Sequence, residues 1–264
     1  TEMHRDFPFA SFAKTMRRVL ADYGERILER SPNNGCAELR EAIAAYLSRF
    51  RGITVDPGQI VVGSGAEYLY SVLIQLLGRD LTYGIEDPSY EKIGLVYAAN
   101  GVKTELLPLT VDGIASSSLE RSVADVLHVT PYHSFPSGVS ASPAKRKEYV
   151  EWAKKRGGYV IEDDFDSEFS VFAKPADTIF SIEPTDRVIY INTFSKSLAP
   201  SVRVGYMLLP PPLLKRYESR LGFYSCSVPV YEQLVLAEFL SSGEFERHIN
   251  RMRRKERALR SEQD

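Results

Sequence analysis

A lysine that follows a buried strand and is flanked by hydroxyl and apolar residues is chemically suited to attack an aldehyde. Lys196 stands in such a place. Val188 to Ile191 reads as a short buried strand, and Thr193-Phe194-Ser195-Lys196 follows it. Apolar surroundings disfavour an ammonium and lower its pKa, which frees the amine as a nucleophile. Most lysines are merely solvated, so Lys196 gains meaning only from its company. Arg203, seven residues on, is spaced to return a second cation to the same face. Glu162-Asp163-Asp164 follows another apolar run, Tyr159-Val160-Ile161. Acids at a strand end can hold Mg²⁺ or a cationic ring nitrogen, or can simply form a solvated loop. Gly63-Ser64-Gly65-Ala66 links a strand to a helix, where backbone N–H groups favour a phosphate. It is neither a Walker A sequence nor G-x-G-x-x-G, because Tyr68 stands where the third glycine would be, and taken singly it reads as a tight turn. Glu67, beside that turn, is expected to point away from a phosphate unless it caps the helix. Asp87-Pro88-Ser89-Tyr90 ends a further strand and offers an aromatic to cover a planar ligand, or to cap the core.

These residues need elements to position them. Gln59 to Val62, Leu81 to Ile85, Val102 to Leu109, Val126 to Val129, Tyr159 to Ile161, Val188 to Ile191 and Gly205 to Leu209 read as strands. Helical patterns lie between several of them: Leu39, Ile43, Leu47 and Phe50 recur at helical spacing, as do Leu69, Val72, Leu73 and Leu76, and Ala144 to Lys155 precedes Gly157-Gly158. The alternation predicts an α/β fold with a mostly parallel sheet and helices on both faces, an α/β/α sandwich. Ligands of such sheets sit at the carboxyl ends of the strands, where all four candidate segments lie. Pro175 to Pro184 reads as an irregular loop. From Leu213 onward two helices are expected, separated near Ser225 to Pro229.

Bulk composition excludes some partners. With 33 Lys+Arg against 35 Asp+Glu, the formal charge of −2 argues against a large basic surface for nucleic acid and against a polybasic membrane anchor. Apolar residues make up 44% of the 264, enough for a sizeable core, yet none of their runs is long enough to span a bilayer. Cys36 and Cys226 are too few for a disulfide framework and show no zinc spacing, which suits a reducing cytoplasm. No metal is expected. The chain starts without an initiator Met and stops in a charged helical stretch, so it reads as a piece of a longer protein.

Taken together, the segments occur in the order of one family. Pro32-Asn33-Asn34-Gly35 with Leu39-Arg40, Ser64-Gly65-Ala66-Glu67, Glu86-Asp87-Pro88-Ser89-Tyr90, Thr130 to Gly138, Glu162 to Phe169, and Tyr190 to Pro200 with Arg203 and Gly205-Tyr206 carry the likeness. Phe245 to Arg253 adds to it. The sequence resembles the fold-type I pyridoxal-phosphate aminotransferases, and more narrowly the aminotransferase-like domain of MocR/GabR-type (GntR family) transcriptional regulators. The resemblance implies pyridoxal 5′-phosphate as cofactor, held by Lys196 as an internal aldimine, with the same lysine later shuttling a proton. It implies that Asp163 pairs with the pyridine nitrogen and that Tyr90 stacks on the ring. Ser64, Gly65 and Ala66, the hydroxyls of Thr193 and Ser195, and Arg203 would hold the phosphate, with His133 and Ser134 beside the ring. It further implies residues 1–35 as part of a small domain, 36–225 as the cofactor-binding large domain, and 226–264 as a helical segment leading to a C-terminal small domain outside this chain.

One departure is chemical. Many relatives place a tyrosine two residues after the aspartate, and here the position is Phe165. Without that donor the cofactor's phenolate is costlier and its pKa should rise. Three functions follow: an effector-sensing domain that takes a small amine or amino acid, a working aminotransferase, or a phosphate-binding domain without covalent chemistry. The Ser195-Lys196…Arg203 arrangement disfavours the last. A homodimer is expected by analogy, and DNA would be reached only through an N-terminal domain outside this chain.

Overall fold

The computed structural model describes residues 7–165, 177–182 and 185–261. Eight strands form one sheet: β1 Ile60–Gly63, β2 Thr82–Asp87, β3 Lys103–Thr110, β4 Gly113–Ile114, β5 Val126–Val129, β6 Tyr159–Asp163, β7 Val188–Thr193 and β8 Gly205–Leu208. Their spatial order is β1-β8-β7-β6-β5-β2-β3-β4. The run β3-β2-β5-β6-β7 is parallel throughout, as the alternating pattern requires, whereas β8 runs antiparallel between β7 and β1. The short β4 returns antiparallel on β3 and was not legible as a strand.

Period-two alternation makes three layers. In β7, Ile189 and Ile191 face a cluster built with helices α3 Ala66–Leu77, α4 Glu91–Ala99 and α8 Pro211–Leu221. Val188 and Tyr190 face the other side. There they meet α2 Ala37–Arg51, α5 Ser116–Arg121, α6 Pro143–Arg156, α9 Val230–Ser241 and the start of α10 Glu244–Ser261. α1 Phe9–Tyr23 packs through Val19 on Leu234 and Val235 of α9.

Two expectations need adjustment. The expected irregular loop contains one helical turn, α7 Ile179–Ile182, because the buried Glu162 carboxylate accepts the N–H groups of Ile179 and Phe180 at 2.7 and 2.8 Å. The C-terminal region holds three helices rather than two. Gly243, at φ +75°, breaks the pattern between α9 and α10, a conformation strained for other residues.

Candidate functional site

The antiparallel placement of β8 decides the geometry. Because Thr193 pairs with Gly205, and Gly205 with Gly63, the ends of β7 and β1 and the start of β8 share one edge of the sheet. Asp87 and Asp163, ending the parallel β2 and β6, lie on that edge too. A cavity of about 390 Å³ opens there. Ala66, Tyr90, Asp163, Phe165, Thr193, Ser195, Lys196 and Arg203 all line it, with Glu67, Tyr70, Lys92, Ile93, Phe135 and Pro200.

The three-acid run is divided by the pleat. Glu162 caps α7. Burial and the neighbouring Asp164 push its pKa up. Asp164 lies among buried partners: Arg51 Nε and Nη2 donate to its Oδ2 at 2.9 and 2.8 Å, and the Tyr190 hydroxyl at 2.6 Å. Asp163, between them, turns to the cavity. Its Oδ2 accepts from the Tyr70 hydroxyl and lies 3.5 Å from Nε2 of His128, whose Nδ1 meets the Tyr97 hydroxyl at 2.7 Å. Burial first, then the Asp163 charge, drive the Tyr70 phenol well above its ordinary pKa, so it remains a donor. Oδ1 of Asp163 is buried and has no hydrogen-bond partner among the described residues. Such an atom calls for a hydrogen-bond donor within the cavity. Among the described residues no group of three or more His, Cys, Asp or Glu is placed to hold a metal ion.

Lys196 reaches in from the loop after β7, and its Nζ lies 4.9 Å from the centroid of the Phe165 ring. Tyr90 and Phe135 meet edge to face at 6.1 Å over the cavity mouth and are partly exposed. Gly65 sits at φ +92°, a conformation strained for other residues, and a Cβ there would stand 2.8 Å from Arg203 Nη2. Glu67 does not point away as expected. It lines the cavity and is ion-paired with Arg203.

Four of the expected residues are not among those lining the cavity. Ser64 N–H donates to Ser227 Oγ at 3.0 Å, and Gly65 N–H to the Gly63 carbonyl at 2.9 Å. The His133 ring stacks on Tyr132 at 4.3 Å, with φ +47°. Ser134 is buried and donates to Glu86 Oε2 at 2.6 Å. Burial lifts Glu86 to about 8; Asp163 adds to the rise, and hydrogen bonds from Ser134 and Thr130 oppose it. The folded value therefore lies above the unfolded one. The stability this acid contributes is complete below the ordinary 4.5 and is lost as pH rises through about 8. Thermal unfolding of Glu86→Gln should accordingly lose stability less steeply than wild type between those pH values. Identical slopes would remove Glu86 as a source.

Tyr70, which was not foreseen, had one signal: a hydroxyl on an otherwise apolar face of α3. A phosphorylated, aldehyde-bearing pyridine suits this donor set: the orphaned Asp163 oxygen for a ring N–H⁺, Lys196 for the aldehyde, and Arg203 packed on a glycine for the phosphate.

Comparisons with known proteins agree. The profile of the aminotransferase class I and II family matches residues 2–262. The uncharacterized HTH-type transcriptional regulator YdeL of Bacillus subtilis (strain 168) is 36% identical over 256 residues, 96% of this chain and 55% of YdeL. The probable rhizopine catabolism regulatory protein MocR of Rhizobium meliloti is 30% identical over 253 residues, 94% of this chain and 50% of MocR. The chain thus spans about half the length of the curated relatives it matches. The solved structure of Pyrococcus horikoshii kynurenine aminotransferase in complex with PMP superposes with a TM-score of 0.86 at 25% identity, over 95% of this chain and 64% of that one. Strand order, the lysine-bearing edge and the profile over nearly every residue converge: this chain belongs to the aminotransferase class I and II family.

Proposed function

We propose that the chain is the pyridoxal-phosphate-binding, effector-sensing domain of a MocR/GabR-type regulator, working in the cytoplasm as a homodimer. Its ligand class is a small amine or amino acid. DNA reading belongs, in this proposal, to a segment outside these 264 residues. We place the cofactor-binding large domain at 36–225, flanked by 1–35 and 226–264 as parts of a small domain. None of the helices among the described residues is long and apolar enough to cross a membrane. The observation that carries the cofactor assignment is the unpaired, buried Oδ1 of Asp163 on the floor of the cavity that holds Lys196 and Arg203. The regulator reading is supported by the relatives named above.

When bound, pyridoxal phosphate supplies a carbonyl that condenses with amines and a ring that withdraws electrons. Asp163 would hold a proton on the ring nitrogen, with its carboxylate oriented by the Tyr70 hydroxyl. Lys196 Nζ would anchor the cofactor and would supply the cavity's base for proton transfer. Tyr90 and Phe135 shield the mouth from water. Phe165 offers no hydroxyl where many relatives have one, which weakens turnover and suits sensing.

The test is a titration of the cofactor-loaded, full-length protein with amines and amino acids, followed by absorbance. A single spectral change, with at most one amino group transferred per site, is expected. Repeated turnover with an amino acid and a 2-oxo acid would establish the alternative, a working aminotransferase. In Phe165→Tyr the pH midpoint of the cofactor's visible absorbance should fall, because the added phenol donates to the cofactor's 3′-oxygen and stabilises its ionised form. An unchanged midpoint sinks that account of Phe165.

A further inference from the structure

The phosphate end of the cavity already contains an anion of the chain's own. Arg203 Nη2 donates to Glu67 Oε2, while Glu67 Oε1 lies 3.4 Å from Lys92 Nζ, and all three side chains line the cavity. Other donors here are committed as well. Ser64 N–H serves Ser227, Gly65 N–H serves Gly63, and the Ser195 hydroxyl donates to the Val202 carbonyl at 2.8 Å. A phosphate ester near neutral pH is an acceptor of almost two negative charges and must recruit Arg203. The Arg203 and Glu67 side chains are both partly exposed, so the pair can open. The carboxylate has somewhere to go, because Lys92 is its second partner.

We propose that Glu67 is an internal competitor for Arg203, which the phosphate of the cofactor must displace towards Lys92, so that this site holds its cofactor less tightly and releases it faster than it would with a neutral residue at position 67. The inference rests on the pyridoxal-phosphate reading above and deepens it, since a releasable cofactor makes the domain responsive to cofactor supply. Charge balance supports the competition. Arg203 and Lys92 bring two positive charges and Glu67 one negative, leaving one net positive charge for the phosphate. A glutamine would leave two. Burial pushes the Glu67 pKa up, but the charges and hydrogen bonds of Arg203 and Lys92 outweigh it and hold the carboxyl below its ordinary value. The competitor therefore stays ionised at neutral pH.

The test compares full-length wild type with Glu67→Gln in three titrations: inorganic phosphate into cofactor-stripped protein by calorimetry, and pyridoxal phosphate and unphosphorylated pyridoxal by absorbance. An exposed ion pair is worth up to about 1 kcal/mol, so losing the competitor should tighten phosphate and pyridoxal phosphate by up to about fivefold. Cofactor release should slow in proportion, and pyridoxal should bind unchanged. Lys92→Met, which deprives the displaced carboxylate of its second partner, should weaken pyridoxal phosphate binding. Equal or weaker phosphate affinity in Glu67→Gln overturns the proposal. If phosphate tightens but neither protein takes up pyridoxal phosphate, the cofactor reading fails and the competition stands. If the cofactor binds and Glu67→Gln gains nothing, the competition fails and the cofactor reading stands.

Discussion

Lys196→Ala abolishes covalent retention of pyridoxal phosphate: after gel filtration with excess cofactor the variant emerges colourless, whereas wild type keeps its visible band. Lys196 is the cavity's amine at the end of β7, positioned over Phe165, and Lys92 lies at the phosphate side with Glu67. Whatever amine-dependent proton transfer wild type shows should drop by about 10²–10⁴ in the variant, the span typical of removing a positioned general base. Lys196→Arg is the useful control, since it keeps the positive charge beside Phe165 but cannot condense with an aldehyde. It should be as colourless as the alanine variant. Borohydride reduction followed by peptide mapping checks the assignment directly. A label on any lysine other than Lys196, or a coloured Lys196→Ala protein, defeats it.

Arg51→Ala should be the most destabilising single change near the site. Arg51 and Asp164 are 5% and 0% exposed and bonded through two nitrogens to one oxygen. Removing one partner of such a pair strands a charge in the interior and costs about 3–5 kcal/mol. Chemical denaturation gives the number. Asp164 directly follows Asp163 on β6, so the lost tether should also loosen the floor of the cavity and weaken cofactor binding. The double variant Arg51→Met with Asp164→Asn removes both charges of the pair together and keeps an acceptor for the Tyr190 hydroxyl. It should recover much of the loss. A single variant within about 1 kcal/mol of wild type would mean that water reaches the pair and screens it.

Much of this protein is written locally. Seven strands were legible within a residue or two because most are compact apolar runs between polar turns, and the two-residue β4 escaped because it is too short to carry a pattern. Lys196, Asp163, Tyr90 and Arg203 were identifiable from sequence because each follows or precedes a strand, and strand ends are where an α/β sheet binds ligands. Their order along the chain also carried the family resemblance.

What only the tertiary structure decided is who partners whom. Glu162, Asp163 and Asp164 look alike in sequence, yet the pleat sends neighbours to opposite faces, making one a helix cap, one a cavity floor and one an ion-pair partner. Tyr70 meets Asp163 across 93 residues, Arg51 meets Asp164 across 113, and Arg203 meets Glu67 across 136. Those meetings depend on strand order and on β8 running antiparallel, neither of which a local pattern encodes. The sequence by itself determined which groups can do chemistry, since side-chain type and strand-end position are local properties. The fold determined their charge state and availability, because burial and pairing depend on what the rest of the chain brings alongside.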